Sequence, residues 1–441
     1  MQVYSAEWVL PVGADPIEDG AVGVESGRIT AVGSANELGR GRRFDCAAIV
    51  PGFVNGHSHL EYSAYAGFGD GLEFAPWIVL HTERKGRLEW DDFIALSRLG
   101  AAECLRSGIT TVGDLSFSGA SAPACAELGL RAIVYLEVFG ETAAHVLERF
   151  EHLRVPVEDS FSDRVRLGVS PHSPYTVGLE GFEACARLGL PLATHLAESE
   201  AETAWLTRGE GPLAQFRLFL VPPPGATGIR HLARHGLLDA NVTAGHCVKA
   251  DEEEIALLTK HDTAVVHCPR SNALLGCGLA PVGELRAAGA RVGLGTDSPA
   301  STPSFDMFDE LRAALFAARA REQRPDALTA TEALELATLG SARALALEDE
   351  VGSLQAGKRA DFAVVSLADS PYYPCEDPAA AVVLGGSPER VLLTVVEGEI
   401  RYEKGGVEWH EVRQRAANAR SRMLAGGGSS SPSGAPVGAP A

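Results

Sequence analysis

Histidines and acidic residues with the spacing of metal ligands follow several apolar segments of this 441-residue chain. The stretch NGHSHLE places His57 and His59 two residues apart, directly after an apolar run. Because side chains alternate along a strand, both imidazoles would lie on one face. An HxH pair alone is weak evidence for a metal site. With His195 and Asp297, which end two later apolar segments, it gives an N3O ligand set suited to one Zn²⁺ or Fe²⁺ with a position left for water.

Other polar residues end apolar segments in the same way. Glu198 follows His195 by three residues, and His172, His246 and His267 end further segments. A single buried histidine or glutamate is often only a hydrogen-bonded core residue, so position alone leaves both interpretations open. We expect Asn272, and Ser298 beside Asp297, to orient the ligands.

Several other histidines and two cysteines are not expected to take part in the metal site. Cys247 and Cys268 adjoin strand-end histidines, but alternation along a strand points them away from the histidine face. The remaining histidines fall on predicted helices, loops or the small domain, and we expect them at the surface: His81, His145, His152, His231, His235, His261 and His410.

The segments that carry these residues alternate with helical stretches between about residues 48 and 300. Eight apolar strands are predicted: AAIVPGFVNGHSH, GITTVGDLS, RAIVYLEVF, RVRLGVSPHSP, PLATHLAES, NVTAGHCV, TAVVHCPRSN and ARVGLGTDS. Eight βα units favour a (β/α)8 TIM-like barrel, whose chemistry lies where the strands end. A doubly wound open sheet is the alternative, but it would not place polar residues at the end of almost every strand.

The two ends of the chain have β character. AVGVESGRITAVG is predicted to form a β-hairpin with its turn at Ser26-Gly27, and two stretches near the C-terminus show a similar strand pattern. We predict a small β-sandwich from residues 1–50 and 346–410 and a metal-dependent barrel over 51–345. A C-terminal helix over 411–424 and a disordered Gly/Ser/Pro-rich tail over 425–441 complete the prediction.

Composition limits the partners. The net charge of −20 argues against a nucleic-acid or anionic membrane surface, and no apolar stretch is long enough to span a membrane. The eight cysteines show no paired spacing, and no secretory leader is apparent, which favours a cytoplasmic location. A small molecule is the expected partner.

Several ordered motifs together resemble the amidohydrolase superfamily, in its branch of aminohydrolases and chlorohydrolases. They are PGFVNGHSHLE, THLAESEAE, AGHCV, HCPRSN, GLGTDSPAS and GSLQAGKRADFAVV, and the resemblance runs from residue 1 to about 410. It implies the barrel and the terminal β-sandwich, and a homodimer. Binuclear members carry a lysine at the end of strand four; VSPHSPY has none, so the resemblance implies one metal, zinc or alternatively iron.

The resemblance also implies catalytic roles. His57, His59, His195 and Asp297 would hold the metal, which would lower the pKa of a bound water towards neutrality. Asp297 would also accept a proton from that water, and His246 would hold and polarise the resulting hydroxide. Glu198 would protonate the ring nitrogen beside the attacked carbon. The products would be a ring carbonyl and ammonia.

The predicted substrate is an adenine nucleoside. His172 matches a position that contacts substrate in this branch, and Trp77 lies on a segment over the barrel mouth, where it could stack on a ring or pack in the core. Deaminases of methylthioadenosine and adenosylhomocysteine carry a ribose-binding glutamate directly before this tryptophan; here Pro76 stands there, with Glu73 one turn earlier.

HSHLEYS is more similar to the aminodeoxyfutalosine deaminases of the alternative menaquinone pathway. Their substrate bears a benzoate, for which Arg84 and Arg270 are the candidate ligands, each of them otherwise a surface charge. Alternatives are a methylthioadenosine/adenosylhomocysteine, guanine or cytosine deaminase, and a triazine-type chlorohydrolase, which Glu198 disfavours. A non-catalytic scaffold is the remote alternative, because such relatives usually lose metal ligands.

Overall fold

We describe a computed structural model of the chain over residues 1–406 and 409–425. Its strands, numbered in chain order, are β1 (Gln2–Val9), β2 (Ile17–Glu25), β3 (Arg28–Ser34), β4 (Arg42–Pro51), β5 (Phe53–Ser58), β6 (Ile109–Ser116), β7 (Arg131–Val138), β8 (Val165–Pro171), β9 (Leu192–Leu196), β10 (Val242–His246), β11 (Ala264–His267), β12 (Val292–Leu294), β13 (Phe362–Ser366), β14 (Val391–Val396) and β15 (Glu399–Glu403).

The helices, numbered in the same way, are α1 (Ala35–Leu38), α2 (Phe74–Lys85), α3 (Trp90–Arg106), α4 (Ser121–Leu128), α5 (Ala143–Arg154), α6 (Leu179–Arg187), α7 (Glu200–Arg208), α8 (Gly228–Arg234), α9 (Glu252–Lys260), α10 (Pro269–Leu274), α11 (Val282–Ala287), α12 (Met307–Glu322), α13 (Ala330–Glu335), α14 (Ser341–Ala344), α15 (Pro378–Gly385) and α16 (His410–Leu424). No helix in the described ranges is long and apolar enough to cross a membrane.

The eight strands β5 to β12 form a parallel barrel in chain order. Each coincides with one of the eight predicted apolar segments, and almost every strand residue is buried, as expected for strands covered on both faces. A parallel bridge between Ser58 and Asp297 joins the last strand to the first. The predicted first segment, AAIVPGFVNGHSH, is in fact divided: AAIV ends β4, in the other sheet, and β5 begins at Phe53.

The second sheet is built from both ends of the chain, in the order β15-β14-β13-β4-β1-β2-β3. β1 pairs in parallel with β4, and the other neighbours are antiparallel. The predicted hairpin turns at Ser26 and Gly27, whose φ angles of 51° and 77° match a two-residue turn. The predicted fold class, a TIM-like barrel with a small β-sandwich from the two termini, is therefore confirmed as a barrel with a separate domain built on one seven-stranded sheet.

The C-terminal helix α16 packs against α3, and Arg422 pairs with Asp92 at the start of α3. The limits predicted for the two domains stay a proposal. The predicted disordered tail, residues 425–441, lies outside the described residues except for Ala425.

Candidate active site

Hydrogen bonds across the barrel seam bring the first metal-binding segment next to the last. The Asn55 amide donates to Thr296 Oγ1 at 2.7 Å, and the Thr296 amide N–H donates to Asn55 Oδ1 at 2.9 Å. The Asp297 N–H donates to the His57 carbonyl at 2.9 Å. As a result, His57 Nε2 lies 4.0 Å from Asp297 Oδ1 although 240 residues separate them in sequence.

Two glycines leave room for the His57 side chain. A Cβ atom at Gly245 would lie 2.9 Å from His57 Cε1, and one at Gly295 would lie 2.7 Å from His57 Cβ. Both distances are too short for a real side chain. The motifs AGH and GLGTDS therefore carry glycine so that strands β10 and β12 can approach this imidazole.

His57, His59, His195 and Asp297 form a histidine-rich metal site. The ligand atoms of the three histidines lie within 4.8 Å of one another. His59 Nε2 is 3.4 Å from His195 Nε2 and 3.6 Å from Asp297 Oδ1. Ligand atoms about 2.1 Å from a tetrahedral zinc ion are about 3.4 Å apart. His57 Nε2 is buried and finds no hydrogen-bond partner in the part of the chain that the structure describes, so this donor set fits a divalent metal.

The surroundings prepare the histidines as ligands. Burial lowers the pKa values of His57, His59 and His195, the last to about 4, which keeps the imidazoles neutral as metal binding requires. His195 Nδ1 lies 2.8 Å from the His172 carbonyl and donates to it, so that Nε2 is free for a metal.

The Asp297 carboxylate is fixed by three donors. Ser271 Oγ and Ser301 Oγ donate to Oδ2 at 2.6 and 2.9 Å, and the Ser298 N–H donates to Oδ1 at 2.8 Å. Burial opposes ionisation, but the facing histidines His59 and His246 and the Ser271 hydroxyl hold the pKa of Asp297 below its usual value. The Ser298 contact accords with its expected orienting role.

Glu198, His246 and Asp297 form a second group, with ligand atoms within 4.8 Å of one another. Glu198 Oε1 is 3.8 Å from His246 Nε2. Burial, and then the charge of Asp297, raises the pKa of Glu198 to about 8. The Asn272 amide nitrogen lies 3.0 Å from His246 Nδ1 and donates to it, which leaves the imidazole proton on Nε2, towards Glu198.

The backbone at these strand ends is strained and supported from behind. Ala197, His246 and Asp297 have φ angles of 50°, 71° and 58°, which residues with a side chain seldom adopt. Glu202 receives the Ala197 and Glu198 N–H groups at 2.8 Å each. The third glutamate of HLAESEAE, Glu202, thus positions Glu198, a role that the sequence alone did not indicate.

Two of the predicted substrate-binding residues lie close to the metal site or over the mouth. His172 Nδ1 is 2.9 Å from Thr176 Oγ1, and its ring centroid lies 4.7 Å from that of His195. Trp77 is buried on α2, donates from Nε1 to the Ala300 carbonyl at 3.2 Å and stacks on the imidazole of His81. Its indole therefore packs within the helix layer.

The other predicted substrate-binding residues lie elsewhere. Glu73 is exposed at the start of α2, and the Arg84 guanidinium lies 5.0 Å from the Phe68 ring centroid on the last turn of that helix. Arg270 is 2.5 Å from Glu310 Oε1 and donates to the Ser304 carbonyl. Its charge is neutralised inside the protein by Glu310, so Arg270 is not proposed as a substrate ligand.

His81 corrects one sequence prediction. Expected at the surface, it is buried on α2 against the rings of Tyr62 and Trp77. The expectation failed because α2 packs the face that bears His81 against the rings of Tyr65 and Phe68 as well. His267 is also buried, which lowers its pKa to about 3, and Cys247 and Cys268 are buried thiols whose pKa values burial raises.

Sequence analysis missed a carboxylate beside the metal histidines. A ligand oxygen of Glu137, the penultimate residue of β7, lies within 4.8 Å of the His172 and His195 imidazole nitrogens. The signal was present, since Glu137 is an acidic residue near the end of the apolar run RAIVYLEVF. Lys85 at the end of α2 is a second missed residue; burial lowers the pKa of its amine to about 8, against the opposing charges of Glu137 and Glu61.

Comparison with known proteins agrees with this geometry. The model of the amidohydrolase family matches residues 48–401. The chain is 33% identical over 432 residues, 95% of this chain and 98% of the relative, to a 5-methylthioadenosine/S-adenosylhomocysteine deaminase of Moorella thermoacetica. It is 31% identical to a 5′-deoxyadenosine deaminase of Methanothermobacter thermautotrophicus, over 90% of this chain and 92% of the relative.

Solved structures give the same result. A zinc-bound adenosine deaminase from Xanthomonas campestris superposes with a TM-score of 0.84 at 28% identity, over 96% of this chain and 98% of that one. A zinc-bound atrazine chlorohydrolase from Arthrobacter aurescens superposes with a TM-score of 0.82 at 25% identity, over 96% and 100%. With its barrel, its histidine-rich metal site and these matches, the chain belongs to the amidohydrolase family and is a hydrolase acting on carbon–nitrogen bonds.

Proposed function

We propose that the protein is a zinc-dependent hydrolytic deaminase of an adenine nucleoside, releasing ammonia and leaving a ring carbonyl. The observation that carries the proposal is the group formed by Glu198, His246 and Asp297 beside the metal histidines. The names of the relatives, deaminases of methylthioadenosine, adenosylhomocysteine, deoxyadenosine and adenosine, support the same substrate class.

Three residues of the site have the protonation states that hydrolytic deamination requires. Glu198, with its pKa raised to about 8, is protonated at neutral pH and donates a proton to the ring nitrogen beside the attacked carbon. Asp297, held ionised by its donors, accepts a proton from the attacking water. His246, with its proton on Nε2, holds the nucleophilic oxygen by a hydrogen bond. Glu198 and Asp297 are thus two nearby carboxyl groups whose surroundings drive their pKa values apart, which fits an acid and a base.

His57, His59, His195 and Asp297 would hold the metal. When bound, a divalent cation there would lower the pKa of water towards neutrality. Zinc is proposed because two similar solved structures contain it, and iron is the alternative for the same ligand set.

The 5′ substituent of the nucleoside has two candidate identities. The curated relatives favour the methylthio or homocysteinyl group of methylthioadenosine and adenosylhomocysteine. Pro76 and the exposed Glu73 offer no buried carboxylate at the start of α2, which disfavours those substrates and favours aminodeoxyfutalosine. A cytoplasmic location and a homodimer stay predictions.

A substrate panel tests the proposal. Zinc-loaded protein is incubated with adenosine, methylthioadenosine, adenosylhomocysteine, aminodeoxyfutalosine, guanine and a chlorotriazine, and ammonia release is followed. We expect release from one or more adenine nucleosides and a loss of about 10²- to 10⁴-fold in Glu198→Gln. Glu200→Gln, at an exposed glutamate two residues away, is the matched control. Release from guanine alone, chloride release from the triazine, or no turnover at all would overturn the assignment.

A further inference from the structure

The wall of the site opposite Glu198 contains a carboxylate that the proposed chemistry leaves unused. Glu137 is 3% exposed, and its Oε1 is buried without a hydrogen-bond partner among the described residues. An ionisable oxygen buried in this way is costly unless something donates to it. A ligand oxygen of Glu137 nevertheless lies within 4.8 Å of the His172 and His195 nitrogens, at the edge of the metal site.

The position of Glu137 is rigid. Arg149 on α5 donates from Nε to the Glu137 carbonyl at 3.0 Å and from Nη2 to the Phe117 carbonyl at 2.9 Å. Its guanidinium also lies over the rings of Phe117 and Phe139. The ends of β6 and β7 are thus tied together, and the Glu137 carboxylate is presented from a fixed backbone.

The neighbouring charges restrict what Glu137 can receive. The ammonium of Lys85 lies 3.7 Å from the Phe117 ring centroid, and the charges of both Lys85 and Arg149 interact with that of Glu137. Two cations beside the carboxylate disfavour a cationic ligand group. A second metal ion here would have to share His195 with the first. A neutral donor, such as a hydroxyl, is the group that fits.

The two sides of the site, one with Glu198 and His246 and the other with His172 and Glu137, would contact different parts of the substrate. His195 lies between His172 and His246, with ring centroids 4.7 Å and 5.5 Å away. We take a base held at Glu198 and His246, on one side of His195, to extend towards His172 and Glu137 on the other side. In an adenine nucleoside that part is the pentose, whose hydroxyls are neutral donors.

We propose that Glu137 is a specificity-determining residue that accepts hydrogen bonds from the pentose hydroxyls of the substrate. The inference rests on the proposed function, because it takes the base to lie at Glu198. Glu137 fixes which sugar is accepted, whereas Glu198 performs the proton transfer.

Binding to a catalytically blocked protein tests this inference. Zinc-loaded Glu198→Gln is titrated calorimetrically with adenosine and with 2′,3′-dideoxyadenosine, which lacks both hydroxyls. We expect adenosine to bind about 10- to 100-fold more tightly, as for hydrogen bonds to a charged group. Adding Glu137→Gln, which keeps the side-chain shape but removes the charge, should reduce that ratio by about 10-fold. Adding Glu141→Gln, at an exposed glutamate four residues on, should leave it unchanged.

The outcomes separate the two proposals. Equal binding of the two probes, a ratio that survives Glu137→Gln, or no binding of adenosine would overturn the role of Glu137. Hydroxyl discrimination that depends on Glu137, in a protein whose unmutated form releases no ammonia from any adenine nucleoside, would overturn the deaminase assignment and leave the role of Glu137 standing.

Discussion

The barrel buries charged residues at both of its ends, but in different surroundings. At the amino end, Arg131 is the first residue of β7. Its Nε lies 2.9 Å from Oδ2 of Asp361, the residue before β13 of the second sheet, and both side chains are almost fully buried. Asp361 also accepts the Glu397 N–H at 2.7 Å. At the carboxyl end of the same strand, Glu137 is equally buried and its Oε1 has no partner among the described residues.

The difference separates structural charges from functional ones. The Arg131–Asp361 pair joins the barrel to the second sheet, and each charge offsets the desolvation of the other. By contrast, a carboxyl oxygen of Glu137 lies within 4.8 Å of the His172 and His195 nitrogens, and one of Glu198 lies within 4.8 Å of the ligand atoms of His246 and Asp297. The two ends therefore differ in charge compensation and not in hydrogen bonding alone, because Arg131 Nη1 also lacks a hydrogen-bond partner among the described residues.

The largest expected effect is on activity at the carboxyl end. Glu198→Gln should lower kcat by about 10²- to 10⁴-fold, since it removes the proton donor while keeping the side-chain shape. Its melting temperature should not fall, because a buried acid is replaced by a neutral amide. Steady-state ammonia release and thermal unfolding measure the two quantities. A variant that loses stability in parallel with activity would contradict the distinction between the two ends.

At the amino end, a substitution should lower stability and leave kcat almost unchanged. Asp361→Ala should lower the free energy of unfolding by about 3–5 kcal/mol, because it leaves Arg131 buried without its partner. Chemical denaturation measures this, and kcat of the folded fraction should stay within about twofold. The double variant Arg131→Met/Asp361→Leu removes both charges and should recover most of the loss. Failure of the double variant to recover stability would show that the pair acts through more than charge compensation.

A smaller effect on kcat is expected for Asn272, which contacts the catalytic residue His246. Asn272→Ala removes the donor to His246 Nδ1 and should lower kcat by about 10- to 100-fold with little change in KM. Asn272→Asp, which reverses the hydrogen bond, should shift the pH profile of kcat, whereas a purely structural residue would not. Unchanged kinetics in both variants would remove Asn272 from the catalytic group.

The smallest effect concerns Lys85. Its pKa is lowered to about 8 in the folded state, so burial of the ammonium destabilises the fold below that pH. Lys85→Met should therefore raise the melting temperature at pH 6–7, and the gain should shrink as the pH rises through about 8 towards the unfolded value near 10.4. Thermal unfolding from pH 6 to 10 measures it, with Lys260→Met on the last turn of α9 as a control. A gain that is independent of pH would contradict this account.

Much of the fold followed from the sequence, because strands buried on both faces are continuous apolar runs with polar ends. The same rule brought His57, His59, His195, His246 and Asp297 to one end of the barrel. The division of AAIVPGFVNGHSH into two strands was missed because AAIV and FV form one apolar run, although they belong to different sheets.

The remaining errors have a common physical origin. His81 and Lys85 lie on α2, and which face of that helix is buried depends on tertiary packing. Arg270 seemed free because its partner Glu310 lies 40 residues away. Glu137 was overlooked because it stands within an apolar run and matches no motif, although its place near a strand end carried the same signal as the histidines.

Metal reconstitution tests the central claim most directly, namely that the carboxyl end holds one catalytic metal on three histidines and Asp297. Protein freed of metal by chelation is titrated with Zn²⁺ while bound metal and ammonia release from the preferred nucleoside are followed. The account predicts that activity rises linearly and stops at one equivalent, and that His195→Ala binds none. Full activity without metal, or a plateau at two equivalents, would contradict it.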